Sequence, residues 1–99
     1  MIEIFLPLYD NEGRTFARSE FDDVRHALTD RFGGVTAFTR SPAEGVWKEG
    51  GEETHDQIVI FEVMAEQLER EWWAQFRAEL ERCFRQERLL VRATEIEQL

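Results

Sequence analysis

The fold is decided by QIVIFEVM at residues 57–64, the most hydrophobic run of the sequence. β-branched and aromatic side chains dominate this run, and they favour β-strands over helices. A strand this apolar is expected in the middle of a sheet, where its side chains are covered on both faces. We therefore predict a central strand over 57–64 and assign the other elements outward from it.

Three more strands and two helices are predicted around this central strand. Residues 2–9 alternate aliphatic side chains with other types, which is the period-two pattern of a strand. Residues 35–40 form a short candidate strand, and residues 89–96 form the last one. A helix is predicted after Ser19, an N-cap residue type, and it ends at the glycine pair 33–34.

The second helix is predicted over 66–88. Its large apolar side chains recur every fourth residue, which favours one buried helix face. These residues are Leu68, Trp72, Phe76, Leu80 and Phe84. Trp73 is expected at the margin of that face or at an interface.

The resulting element order, βαββαβ, predicts one α+β domain over residues 1–99. Right-handed crossovers favour an antiparallel four-stranded sheet in the order 4-1-3-2, with both helices on one face. In this order the sequence resembles small bacterial ferredoxin-like (α/β plait) proteins, including those that pair as dimeric α+β barrels. The resemblance covers the full length but rests on element order alone, so it implies no activity for any residue.

Charge and composition exclude several classes of function. Twelve basic and twenty-one acidic residues give a net charge of −9, with Lys48 the only lysine. Such a charge opposes binding to nucleic acids and to anionic membranes. No apolar run approaches the roughly 20 residues of a membrane span, and no basic export signal is seen, so a cytoplasmic location is expected.

Metal and cofactor chemistry finds little support in the residue types. A single cysteine, Cys83, excludes an internal disulfide and a multi-cysteine metal site, and we expect its thiol to be buried and inert. His26 and His55 lack the spacing of a zinc site. Phosphate-binding glycine loops and paired-cysteine motifs do not occur in the sequence, so no cofactor and no metal are predicted.

The sheet face without helices is predicted to be largely apolar. We expect seven apolar side chains there, a field larger than an ordinary exposed patch. They are Phe5, Phe38, Ile58, Ile60, Met64, Leu90 and Ile96. The sequence therefore predicts a homodimer in which two such faces pack together, with a small molecule as a possible ligand between them.

Charged residues on the same face are predicted to pair across strands. The fourth strand borders the first, so Arg92 is expected to meet Glu3. The second strand borders the third, so Arg40 is expected to meet Glu62. Each such pair contributes about 0.2–1 kcal/mol and helps to fix the register.

The leading functional hypothesis is a small homo-oligomeric protein that binds a ligand or a partner through this face. The alternative is a dimeric α+β barrel enzyme that performs general acid–base chemistry on a small hydrophobic substrate. Its base would be Glu62 or His55, with Tyr9 as a further candidate. Against this, Glu62 could simply pair with Arg40, and His55 could be solvated.

The segment 41–56 is the least explained part of the sequence. It is long for a hairpin connection, and long loops are often functional. Trp47 within it is predicted either to join the ligand or interface residues or to fold back over a sheet edge. A third class of function is a regulatory or scaffold domain that binds a basic protein through the acidic hairpin 44–56.

Overall fold

The computed structural model describes residues 1–40 and 57–99, and the predicted element order is confirmed in them. The four strands and two helices are β1 (Ile2–Pro7), α1 (Arg18–Phe32), β2 (Thr36–Arg40), β3 (Ile58–Val63), α2 (Arg70–Cys83) and β4 (Leu90–Ala93). The predictions for segment 41–56, including those for Trp47 and His55, concern residues outside the described ranges.

The strands form one antiparallel sheet in the order β2-β3-β1-β4, which is the predicted order read from the other edge. β3 lies between β2 and β1, so the most hydrophobic run is an inner strand, as expected. β1 is the other inner strand, and Pro7 is its last residue. A proline at a strand end interrupts few ladder hydrogen bonds, because it lacks an N–H donor.

The core lies between the two helices and one face of the sheet. Alternate strand residues point into it, among them Ile4, Leu6 and Phe61, each with none of its surface exposed. Val24 and Leu28 come from α1, and α2 adds three more large side chains. These three are Trp73, Phe76 and Leu80. Burial of each large apolar side chain contributes about 1.5–3 kcal/mol, so this layer holds the helices on the sheet.

Helix α1 begins one residue before the predicted N-cap. Ala17 occupies the N-cap position and makes no side-chain capping bond, whereas Ser19 lies inside the helix. The C-terminal prediction is confirmed: Gly33 adopts a left-handed φ of 83°, and its N–H donates to the Thr29 carbonyl at 2.8 Å. Glycine takes this conformation without the steric cost that a Cβ would add.

Helix α2 is shorter than predicted and presents a different face to the core. Trp73 is 6% exposed, whereas Trp72 is only half-buried, so the predicted roles of the two tryptophans are reversed. A strict four-residue repeat rotates 40° per step around a helix, because each residue turns by 100°. A stripe from 68 to 84 therefore drifts by 160°, and only its last members stay on the buried side.

The same rotation corrects the prediction for Cys83, which is exposed. Counting 100° per residue from Trp73, the buried side chains span 300° to 20°, whereas Trp72 and Cys83 fall at about 260° and 280°. Both residues therefore lie on one flank of the buried face. Neither helix in the described ranges is long and apolar enough to cross a membrane.

Candidate functional site

The candidate site is the sheet face that the helices leave uncovered. Because strand side chains alternate, the residues between the core positions point to this side. We call it the open face. It consists of Glu3, Phe5 and Pro7 of β1, Thr36, Phe38 and Arg40 of β2, Ile58, Ile60 and Glu62 of β3, and Leu90 and Arg92 of β4.

An apolar row crosses the open face from edge to edge. Phe38 pairs with Ile60, Ile60 with Phe5, and Phe5 with Leu90, so one apolar side chain from each strand lies at the same level. Ile60 at the centre is only 1% exposed, whereas Phe38 and Leu90 at the edges are 40% and 54% exposed. The row thus ends in two exposed hydrophobic side chains.

A polar row lies directly beside the apolar row. It runs Thr36–Glu62–Glu3–Arg92 in register across the same four strands. Arg92 donates from Nε to Oε1 of Glu3 at 2.8 Å, which confirms the predicted pair. The Arg92 guanidinium also lies 4.9 Å from the centre of the Phe5 ring, within the range of a cation–π contact. The pair therefore links the polar row to the apolar row.

Glu62 occupies a different environment from the one predicted. It lies opposite Thr36 on one side and opposite Glu3 on the other, whereas Arg40 lies opposite Ile58. Arg40 and Thr36 are four residues apart on β2, which is about 13 Å along a strand. The predicted Arg40–Glu62 pair is therefore wrong within one chain. In the described part of the chain, Glu62 makes no hydrogen bond or ion pair.

The failed prediction has a simple geometric cause. Alternation of side chains determines which face a residue occupies, but it repeats every two residues. Registers shifted by two or four residues therefore place the same side chains on the same face. A short turn would fix the register of β2 against β3, but sixteen residues separate Arg40 from Gln57.

The third row of the open face is Arg40–Ile58–Pro7. Arg40 makes no ion pair within residues 1–40 and 57–99. The open face thus carries two acids, Glu3 and Glu62, and two arginines, Arg40 and Arg92, so its formal charge is zero. The whole chain carries −9. This face is therefore electrically neutral on an acidic protein.

The candidate base Tyr9 lies beyond the strand ends, as do Met64 and Ile96, which the sequence assigned to the open face. Tyr9 follows β1 and forms an isolated bridge with Thr15. Met64 follows β3 and, with Ile96, lines a surface groove beside Phe32. The structure therefore does not bring Tyr9 or Met64 into the two rows that cross the sheet.

The turn after β1 is a polar structure that the sequence indicated only as a turn. Oδ1 of Asp10 accepts the backbone N–H groups of Glu12 and Arg14, each at 2.9 Å. The bond from Arg14 is the main cause that lowers the pKa of the Asp10 carboxyl below its usual value, and Arg85 adds to it from 3.6 Å. These hydrogen bonds stabilise the turn, and they use Oδ1 of the Asp10 carboxylate for a structural role.

Sequence reasoning also missed an aromatic group between the ends of the two helices. Phe32 of α1 stacks on Trp73 of α2 with ring centres 5.4 Å apart, and Trp72 stacks on Phe76 at 4.8 Å. The Arg31 guanidinium lies 4.6 Å from the Trp72 ring and also binds Glu69. The only available signal was the run of apolar residues in both helices, which does not show that their ends meet.

The described ranges contain no group of three or more histidine, cysteine, aspartate or glutamate side chains arranged to hold a metal ion. Comparisons of the chain with protein-family models, curated proteins and solved structures found no match. The open face thus presents an apolar row, one ion pair, and one carboxylate and one guanidinium that make no ion pair within residues 1–40 and 57–99.

Proposed function

We propose that this protein is a homodimeric binding protein that packs its open face against the open face of a second copy. The observation that carries the proposal is the apolar row Phe38–Ile60–Phe5–Leu90, which spans all four strands in register. A contiguous apolar strip that ends in exposed Phe38 and Leu90 favours association, because burial removes its surface from water.

Charge supports a second copy as the occupant of this face. A chain with a net charge of −9 repels its own copies, so self-association needs a surface that does not add to the repulsion. The open face meets that condition because its two acids and two arginines balance. A basic protein partner would instead be favoured by an acidic surface. A small apolar molecule held between the paired faces would be the ligand class that fits.

Sedimentation velocity over a range of protein concentrations tests the proposal. The wild type is expected to form dimers, and Phe38→Glu and Leu90→Glu are each expected to weaken the dimer at least about tenfold, because they place a charge in the buried strip. Both residues are exposed in the single chain, so the variants should stay folded. Leu68→Glu is the matched control, since Leu68 is 43% exposed and lies outside the open face.

Native mass spectrometry of freshly purified protein adds the ligand readout. A dimer that retains a small molecule supports ligand binding between the faces, and a dimer without one supports self-association alone. A wild type that remains monomeric at high concentration, or a dimer that Phe38→Glu and Leu90→Glu leave unchanged, would contradict the proposal.

The second candidate function is general acid–base catalysis on a small hydrophobic substrate. The observation that favours it is Glu62, a half-buried carboxylate beside the apolar row with no ion pair in the described part of the chain. Such a group is available to accept a proton from a bound substrate. The test compares wild type with Glu62→Gln on a panel of small apolar substrates. Turnover that survives in Glu62→Gln would exclude Glu62 as the base.

A further inference from the structure

Two opposite charges on the open face make no ion pair with any residue of 1–40 or 57–99 in their own chain. Glu62 lies in the polar row on one side of the apolar row, and Arg40 lies in the third row on the other side. Neither makes an ion pair in the described residues. A charge that is buried by association without a partner opposes binding, so a stable dimer needs to pair both of them.

A two-fold axis along the apolar row would bring these charges together. Such an axis reverses the strand direction and keeps each strand over its own counterpart in the second copy. The apolar row then faces itself, and the row Arg40–Ile58–Pro7 of one subunit faces the polar row of the other. Arg40 would lie over the partner subunit's Thr36, whose register neighbour is the partner subunit's Glu62.

The distances permit direct contact. Packed sheets are about 10 Å apart and neighbouring strands about 4.8 Å apart, which gives roughly 11 Å between the two Cα atoms. An arginine and a glutamate that extend toward each other span that separation and can form a bidentate ion pair. Because the axis is two-fold, the contact forms twice in each dimer.

The alternative axis is disfavoured by the same charges. A two-fold axis parallel to the strands would keep each row at its own level and exchange β3 with β1. Glu62 would then lie over the partner subunit's Glu3, and the two acids would repel each other. The charge pattern therefore distinguishes between two ways of pairing the apolar rows.

We infer that Glu62 of each subunit binds the partner subunit's Arg40 across a two-fold axis that follows the row Phe38–Ile60–Phe5–Leu90. This inference rests on the proposed homodimer and specifies how its two faces are oriented. It gives Glu62 and Arg40 a role in selecting the partner and the orientation, while the apolar row contributes most of the affinity.

A double-mutant cycle on the full chain tests the pairing, with the dimer dissociation constant measured by sedimentation. Arg40→Glu is expected to weaken the wild-type dimer at least about tenfold, because it faces Glu62 with a like charge. In the Glu62→Gln background, the same Arg40→Glu change is expected to alter the constant by less than about threefold. Arg82→Glu is the control, since Arg82 is exposed on α2, away from the open face.

The outcomes separate this inference from the proposed function. If the wild type dimerises and Arg40→Glu has the same effect with and without Glu62, the pairing is overturned and the homodimer stands. If the wild type does not dimerise, the homodimer is overturned and the pairing falls with it. Circular dichroism of each variant checks that the chain remains folded, so a change in association is not a loss of structure.

Discussion

Arg92 and Glu3 form the one ion pair that the described ranges 1–40 and 57–99 make on the open face, and the two side chains differ in exposure. The side chain of Glu3 is 12% exposed, whereas that of Arg92 is 52% exposed. Glu62 lies opposite Glu3 on the other side of β1. Arg92 therefore compensates a nearly buried carboxylate that would otherwise face a second carboxylate across the strand pair.

Removal of Arg92 is expected to destabilise the fold by about 1–2 kcal/mol, because a charge-assisted hydrogen bond is lost and Glu3 stays buried. The loss is smaller than that for a fully buried ion pair, because the Arg92 side chain is 52% exposed. Urea unfolding measures the free energy of unfolding of Arg92→Ala, Glu3→Gln and the double variant. The destabilisation caused by Arg92→Ala is expected to fall sharply when Glu3 has been replaced by neutral Gln.

This cycle is best measured in the Phe38→Glu background, so that self-association does not add to the free energy of unfolding. Arg25→Ala is the control, since the Arg25–Asp22 pair is exposed at both ends and such pairs contribute little. Additive effects of Arg92→Ala and Glu3→Gln would show that the pair contributes no coupling energy.

The Glu3–Arg92 pair also shows which features of the open face can be predicted from the sequence. Alternation along the strands predicted that Glu3 and Arg92 share one face, and element order predicted that their strands are neighbours, so the contact was one of several that these arguments allow. The same two arguments allowed Arg40 beside Glu62, and that prediction is wrong, because neither argument fixes the register to better than two residues. The fold could therefore be predicted from the periodicity of the sequence. The positions of the charges on the open face could not, because they depend on the register between strands.

Cys83 is expected to react with a thiol reagent in the folded protein. It is exposed on the last turn of α2, so no unfolding is needed to reach it. Ellman's reagent without denaturant should modify one thiol per chain, at a rate close to that in urea. Cys83→Ser supplies the blank. If the thiol reacted only once the protein unfolds, Cys83 would be buried, as the sequence pattern predicts.

Asp10 is expected to contribute to acid unfolding. Its backbone hydrogen bonds lower its pKa in the folded state, so the ionised form stabilises the fold. That contribution is present above the ordinary pKa of aspartate and is lost as the pH falls through the lowered value. The stability difference between wild type and Asp10→Asn should therefore shrink toward acid pH in urea titrations.

A direct NMR titration of the Asp10 carboxyl carbon gives the pKa itself. The expected midpoint lies below that of an aspartate in an unfolded peptide, and it should return toward the ordinary value when urea unfolds the chain. A stability difference that stays constant or grows on acidification would mean that the turn does not favour the charged form.

The two tryptophans of α2 are expected to differ in their contribution to stability, in the opposite sense to the one that the four-residue repeat predicts. Trp73→Ala should cost about 3–5 kcal/mol, since the side chain is 6% exposed and stacks on Phe32 within the core. Trp72→Ala should cost roughly half as much, because Trp72 is half-buried and packs on Phe76 and beneath Arg31.

Urea unfolding of the two variants in the Phe38→Glu background makes the comparison, and their residual tryptophan fluorescence reports on it independently. With Trp47 replaced by Phe in both variants, so that one tryptophan remains, Trp72 in Trp73→Ala should be quenched by acrylamide more readily than the buried Trp73 in Trp72→Ala. Equal losses of stability, or a larger loss for Trp72→Ala, would mean that Trp72 lies at least as close to the core as Trp73. Helix α2 would then be rotated about its axis toward the flank that carries Trp72 and Cys83.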